Sequence, residues 1–291
     1  MKTINFLLAV AFVFGAISVS GQENTSMPTG KIAVTDVYVH FGSFGEKVAY
    51  GSLDDLRKLA PQSDLLARDF SDFDQQAGGS YFNGGSLFMA SLGLKFKKKD
   101  GSDYRANPQL RLGITYFSGT PLSAGVSRQE SFVVDTLVST VTGEIVLADS
   151  MVNQSYNMDY IADQLRLDAA LIFRTKPEAR WSLYGGFGVA AGISINPRTE
   201  VYYNTWDFDN ESNSGFGAYE SERFNNQTSF GLLAYLPLGL DFRLGKNQEF
   251  WKRLHLFYEF SPGVNMTFIP ELNTATNIAL RNGLGLRVSW N

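Results

Sequence analysis

The chain has 291 residues, no cysteine and a net charge of −4, with 28 glycines, 23 phenylalanines and 13 tyrosines. The lack of cysteine excludes a disulfide framework and thiolate metal or redox chemistry, and the mild acidity argues against nucleic acid as a partner. No segment carries the roughly 18 consecutive apolar residues of a spanning helix, while an aromatic content of 14% beside so much glycine points to β-structure.

Lys2 precedes the apolar run Phe6–Phe14, and Val19-Ser20-Gly21 follows with small or apolar residues at the cleavage positions. Residues 1–21 therefore read as a secretory signal, with 22–291 as a single exported domain. The apolar run is shorter than the roughly 20 residues a membrane helix needs.

The first outgoing strand is expected over 31–42, where Thr35, Val37, Val39 and Phe41 alternate with Asp36, Tyr38 and His40. Ser52–Leu66 reads as a short helix in the first outer loop. Ser52 is its N-cap, Asp54 and Asp55 lie in its first turn, and Pro61 breaks the pattern. Residues 80–96 return, with Phe88, Ala90, Leu92, Leu94 and Phe96 on one face, and Lys97–Pro108 makes a short turn.

The next two arms, 109–140 and 144–175, meet near Thr142-Gly143-Glu144. They are far longer than the 9–11 or so residues of one strand crossing, so the hairpin around 119–160 should project beyond a membrane. An exposed β-edge there would suit partner binding by strand addition, and a stiff polar surface hairpin without a partner is the equal alternative. Within 164–175, Leu165, Leu167, Ala169, Leu171 and Phe173 alternate with a polar set that includes Arg166, Asp168 and Arg174.

After the turn Thr175–Ala179 the chain runs out to a polar loop near Asn204–Asn226. It returns over 230–243, with Phe230, Leu232, Ala234, Leu236, Leu238, Leu240 and Phe242 against Gly231, Tyr235, Gly239, Asp241 and Arg243. A third turn, Leu244–Arg253, leads into 254–268 and then, past Pro270–Asn273, into the last strand over 278–290. These period-2 runs of nine or more residues are long enough to cross a bilayer at a tilt.

Alternation is neutral about which face points inward, and a soluble sandwich or lipocalin-like barrel would hide the apolar one. The polar face, however, mixes Gly186, Gly188, Gly192, Gly231, Gly239, Gly263, Gly283 and Gly285 with single charges. Such residues suit a narrow interior better than a solvated surface. Phe96, Trp181, Phe250, Trp251 and Trp290 gather at one end of the strands, where an interfacial aromatic girdle belongs.

The expected architecture is an all-β, antiparallel up-and-down transmembrane barrel of eight strands, or ten if 122–138 and 144–158 bend back into the wall. With its leader, dyad strands, alternating short and long connections and aromatic last strand LGLRVSW, the chain resembles the small outer-membrane β-barrel proteins of Gram-negative bacteria. The resemblance implies outer-membrane localisation and contact with membrane lipid. It selects no activity, because that fold serves adhesins, lipid-modifying enzymes, channels and anchors alike.

The lumen would then hold Asp36, His40, Arg111, Arg166, Asp168, Asp241, Arg243, His255, Glu259, Arg281 and Arg287. Charges in so narrow a space must pair, so the set reads as a plugging Arg–carboxylate network. A selectivity ring would need a wider barrel. A His255/Glu259/Ser261 set suggests deacylation, yet Ser261 lies about 20 Å along the strand from His255 at 3.3 Å per residue.

No GxSxG, HExxH or Walker-type loop is present, and no cofactor or metal is expected. Asp135-Thr136-Leu137 and Asp149-Ser150-Met151 resemble short O-glycosylation acceptors, triplets that also arise by chance, and Tyr202–Asn226, which mixes aromatics with acids and amides, reads first as a solvated loop and only second as a site for a sugar or hard cation. The function expected is a non-enzymatic surface barrel that contacts an extracellular or envelope protein or a matrix. Transport of small or apolar solutes, or lipid modification, are the alternatives.

Overall fold

The computed structural model describes residues 31–75, 82–98, 105, 107–138, 145–176, 179–208, 214–245, 248–270, 272 and 274–290. The leader expected over 1–21 and the hairpin turn near Thr142 lie outside them.

The elements in chain order are β1 (Ile32–Lys47), β2 (Ala49–Tyr50), α1 (Leu53–Leu59), β3 (Asp74–Gln75), β4 (Phe82–Phe96), β5 (Gln109–Val138) and β6 (Ile145–Arg174). Then come β7 (Trp181–Phe208), β8 (Ser214–Asn225), β9 (Phe230–Tyr235), β10 (Leu238–Arg243), α2 (Glu249–Arg253), β11 (Leu254–Phe268) and β12 (Ala275–Ser289).

The wall is a closed antiparallel ring: β1, β4, β5, β6, β7, the β9–β10 pair, β11, β12 and back to β1. β9 and β10 occupy one wall position, so the ring has eight strands, and the long β5–β6 hairpin adds none. The expected continuous strand over 230–243 is split at Leu236-Pro237, because proline has no N–H for the ladder. Leu236 N instead donates to Pro262 O at 2.9 Å, and the alternation continues across the break.

The faces are inverted relative to a soluble protein. Leu167, Leu183, Phe187, Val189, Ile193, Ile278 and Leu284 are exposed on the outside, while Arg111, Arg166 and Arg281 are among the largest fully buried side chains. An apolar exterior around a charged interior is the arrangement of a transmembrane barrel. The chain is thus an outer-membrane-type β-barrel. The connections 97–108, 175–180 and 244–253 share one end, which the short-turn rule places toward the periplasm.

One position on the first strand departs from simple alternation. Thr35 was expected beside Val37 and Phe41 on the outer face, but a register shift between Val34 and Asp36 turns it inward. Its hydroxyl donates to Asp36 Oδ2 at 2.6 Å. The bulge resets the parity and sends Asp36 into the lumen.

A row of irregularities crosses the wall at the other end. Register slips fall at Gly119/Leu122 on β5 and at Ile161/Asp163 on β6, opposite Asn196-Pro197 on β7. Asn196 has φ 53°, a left-handed conformation that asparagine tolerates better than most residues. Below the row the inward residues of β7 are even-numbered, such as Tyr184, Ala190 and Ser194; above it they are Thr199 and Val201. Above the row β5, β6, β7 and β8 continue as a four-stranded sheet. The segment 202–226, expected as a polar loop, is therefore largely strand.

The lipid-facing side of β6 generates one prediction. Leu167 is 71% exposed on it, and Leu167→Arg should destabilise the folded barrel by about 2–4 kcal/mol. Equilibrium denaturant unfolding in phospholipid bilayers reads this, and a neutral result would place that face against water.

Candidate functional site: lumen and lid

Interior side chains form levels along the barrel axis. At the short-turn end, Arg174 on β6 pairs with Asp241 on β10 at 3.1 Å, and Arg287 on β12 reaches Asp241 at 3.0 Å and Asp36 on β1 at 3.3 Å. His255 Nδ1 lies 2.7 Å from Asp241 Oδ1. Arg174 also donates to the Tyr38 hydroxyl at 2.9 Å, which donates to Gln109 Oε1 at 2.8 Å. The Gln109 amide donates to Asp36 in turn.

At the next level Arg111 on β5 makes a two-pronged bond to Glu259 on β11, at 2.5 and 3.0 Å. Tyr184 OH and Ser261 Oγ each donate to the same carboxylate at 3.0 Å. Above it Arg281 on β12 meets Asp168 on β6 at 3.0 Å and stacks 3.6 Å over the Tyr235 ring, whose hydroxyl donates to Asp168 at 2.5 Å. β5 faces β11 across the ring, and β6 faces β12. Both ion pairs therefore run from wall to opposite wall.

The outermost level holds Arg166 and Glu46. Arg166 lies 4.8 Å over the Phe117 ring, and its guanidinium nitrogens make no hydrogen bond among the described residues. Glu46 accepts from Asn265 Nδ2 at 2.7 Å.

Of the residues singled out in the sequence, Asp36, His40, Arg111, Arg166, Asp168, Asp241, His255, Glu259, Arg281 and Arg287 are buried in the interior. Arg243 is half-buried at the short-turn rim. His40 packs on Phe257, ring centroids 5.4 Å apart, rather than in an ion pair. Two members of the charge set were missed. Arg174 shares the polar face of its strand with Arg166 and Asp168, a signal already visible in the sequence. Glu46 lies past position 42, where the glycines Gly42 and Gly45 blur the first strand's alternation.

The candidate deacylation set is not assembled. His255 belongs to the Asp241 level and Ser261 to the Glu259 level. The aromatic residues Phe96, Trp181, Phe250, Trp251 and Trp290 all lie at the short-turn end, with Trp181 packed against Phe242, ring centroids 4.2 Å apart and the planes tilted by 43°. Of the two glycosylation-like triplets, Thr136 and Met151 lie on strand surfaces, and the side chains of Asp135, Leu137, Asp149 and Ser150 lie outside the described residues.

The loop between β1 and β4 folds back as a lid over the inward face of the extracellular sheet. Ser52 and Asp55 close a capping box at the start of α1. Leu56, Leu59, Ala60, Leu65 and Leu66 then pack on Leu122, Ala124, Val126, Tyr156, Met158, Val201 and Ile269. Burying those apolar side chains supplies the driving force, since each leucine is worth roughly 1.5–3 kcal/mol when fully removed from water.

Polar pins fix the lid. The Glu222 carboxylate accepts from the Ser63 hydroxyl and from Leu65 N at 3.3 Å, and Arg68 pairs with Glu220 at 2.7 Å. The same segment occupies part of the hairpin edge that was expected to be free. β2 pairs with Leu122–Ser123, β3 pairs with Val126–Ser127, and β8 covers the far edge of β7.

No family model matches the chain, and no curated protein sequence is similar to it. Among solved structures, Neisserial surface protein A matches 90% of this chain and 100% of its own at 12% identity, with a TM-score of 0.31. Ail, the attachment invasion locus protein of Yersinia pestis, covers 88% and 99% at 9% identity with a TM-score of 0.26. OmpT, an outer membrane protein of Vibrio cholerae, covers 92% and 100% at 14% identity with a TM-score of 0.14.

Arg111→Ala strands Glu259 in the interior and should cost about 3–5 kcal/mol, whereas replacing both partners by leucine should cost much less. Denaturant unfolding of the two variants reads the difference, and equal losses would mean the pair is solvated. For the lid, Glu222→Ala should speed hydrogen exchange at Leu65 and Leu66 while leaving β11 and β12 unchanged. Unaltered exchange at those amides would leave Glu222 without a pinning role.

Proposed function

We propose that this chain is a non-enzymatic outer-membrane barrel whose interior is plugged by paired charges, and whose extracellular sheet and loops bind a protein or matrix outside the cell. The observation that carries the reading is the pair of wall-to-wall ion bridges, Arg111–Glu259 and Arg281–Asp168. They lie on successive levels of an eight-stranded ring, whose interior is only wide enough for side chains to fill. A permeating solute would have to part both, and each separation would leave buried charges without partners.

Two further features agree with this. Interior cations and carboxylates are balanced, with Arg111, Arg166, Arg174, Arg281 and Arg287 against Glu46, Asp36, Asp168, Asp241 and Glu259. A selectivity ring would carry an excess of one sign. The candidate nucleophile Ser261 donates to Glu259, which already serves Arg111, and so has no free base beside it. Material placed above the membrane is better accounted for by binding: β5 runs on from Leu122 to Val138, roughly 50 Å along the strand at 3.3 Å per residue.

Planar-bilayer recording of the purified protein tests the plug. Silence is the expected result. Stable conductance that discriminates solutes by size would overturn the plugged reading in favour of solute transport.

A further inference from the structure

At the seam between lid and barrel lies a half-enclosed notch of about 210 Å³, lined by Lys58, Leu59 and Pro61 of the lid, Asn225 at the end of β8 with Asn226 and Gln227 after it, and Ile269 and Pro270 beyond β11. We propose that this notch binds one sugar residue carrying a carboxylate or phosphate. The proposal rests on the surface-binding reading only in requiring that the long-loop end face outward.

The walls are built and the contents are not used up. Asn226 is the structural member of its trio: its Nδ2 donates to Leu59 O at 2.6 Å, its Oδ1 accepts from Thr199 Oγ1 at 2.9 Å, and its backbone N–H donates to Pro197 O at 2.9 Å. It thereby fixes the end of α1 against the barrel. The neighbouring amides of Asn225 and Gln227 make no hydrogen bond among the described residues and are exposed at the notch.

Each free amide offers a donor and an acceptor side by side, the pattern that two adjacent sugar hydroxyls complement. Pro61, Pro270 and Leu59 provide flat apolar surface for the C–H face of a pyranose. Lys58 is the cation in the lining, and its nearest partner, Asp55, stands 3.7 Å away on the exposed helix surface. That loose pairing leaves the ammonium available to an anionic substituent. The volume is below the roughly 300 Å³ at which pockets for larger organic ligands begin, which limits the occupant to about one ring.

The notch also sits at a defined height on the barrel. Phe230 and Phe268, paired across β9 and β11 with ring centroids 5.8 Å apart, are outward-facing and lie immediately below Gln227 and Ile269. The notch therefore opens just above the apolar belt, at the level of outer-leaflet headgroups. A sugar acid could reach it from a glycolipid in the same leaflet or from a soluble polysaccharide. Because the lining comes from both lid and barrel, occupancy should also hold the lid shut.

The test uses the full folded chain in detergent free of lipopolysaccharide, titrated with glucuronic acid and, in parallel, glucose, by saturation-transfer NMR. Saturable millimolar binding of glucuronic acid, weaker for glucose by about tenfold, is expected. Lys58→Ala should erase that preference, and Asn225→Ala with Gln227→Ala should weaken both sugars. All three side chains are exposed, and unchanged heat-modifiable gel mobility verifies folding of each variant.

Hydrogen exchange at Leu65 and Leu66 should slow when the sugar is present. Repeating the titration in nanodiscs with and without lipopolysaccharide separates the sources. Competition by the lipid identifies a headgroup, and its absence identifies a soluble saccharide. No saturable binding, or binding indifferent to the three substitutions, would overturn the site. Conductance is untouched by either result, so failure here is distinguishable from failure of the plugged-barrel reading.

Discussion

Inside a bilayer no water is available to bond a stray backbone N–H or C=O, so every such group must find its partner within the protein. Ring closure answers that constraint. The ladder from Asp36 opposite Ser289 to Glu46 opposite Ala279 joins the first wall strand to the last and leaves no open edge in the hydrocarbon. Proline breaks the ladder at Pro237, where the adjacent Leu236 N–H is taken up by Pro262 O. Everything else in the molecule follows from this ring, because closing it turns one face of every strand toward lipid and the other into a narrow tube.

The tube then dictates its own chemistry. Eight strands leave room for side chains and little more, so bulky inward residues must lie against positions with no side chain. A Cβ at Gly239 would come within 2.2 Å of the Tyr184 ring, and one at Gly188 within 2.3 Å of the Tyr235 ring. These two tyrosines are the groups whose hydroxyls complete the Glu259 and Asp168 levels. The glycines are thus part of the charge network, since they allow the aromatic donors to reach carboxylates that a guanidinium alone would leave partly unsatisfied.

What could be read from the sequence was what depends on period and on local chemistry. The wall strands, the three short turns and the capped helix after Ser52 follow from alternation, from Pro and Gly, and from a Ser–Asp spacing that closes on itself within four residues, whereas β8 and the outer end of β7 were expected as loop because their polar residues carry no clean alternation. Partner identity depended instead on the ring's width and stagger. Asp241 takes bonds from Arg174 and Arg287, residues 67 and 46 positions away in the chain, and no local pattern announces that meeting. The Thr35 bulge was hidden for a related reason, since threonine fits either face and only the pairing with β4 decides. The lid escaped notice because its apolar residues Leu56, Leu59, Leu65 and Leu66 have no visible counterpart until β5, β6 and β7 are seen to rise above the membrane and turn Val126, Tyr156, Met158 and Val201 toward them.

The row of bulges at the membrane exit connects these two halves. Below it, the lipid-facing residues of β7 are odd-numbered, and their side chains need only be apolar. Above it, the parity changes, so the face continuous with the lumen becomes the one that carries Val201, Tyr203 and the lid contacts. Without that change in parity, the same strand would present Glu200 and Tyr202 to the lid and leave Val201 in water. The bulges therefore let one continuous sheet serve two solvents, with its apolar side outward in lipid and inward above it. The lid contacts above the row and the ion pairs below it therefore occupy separate levels of the same strands.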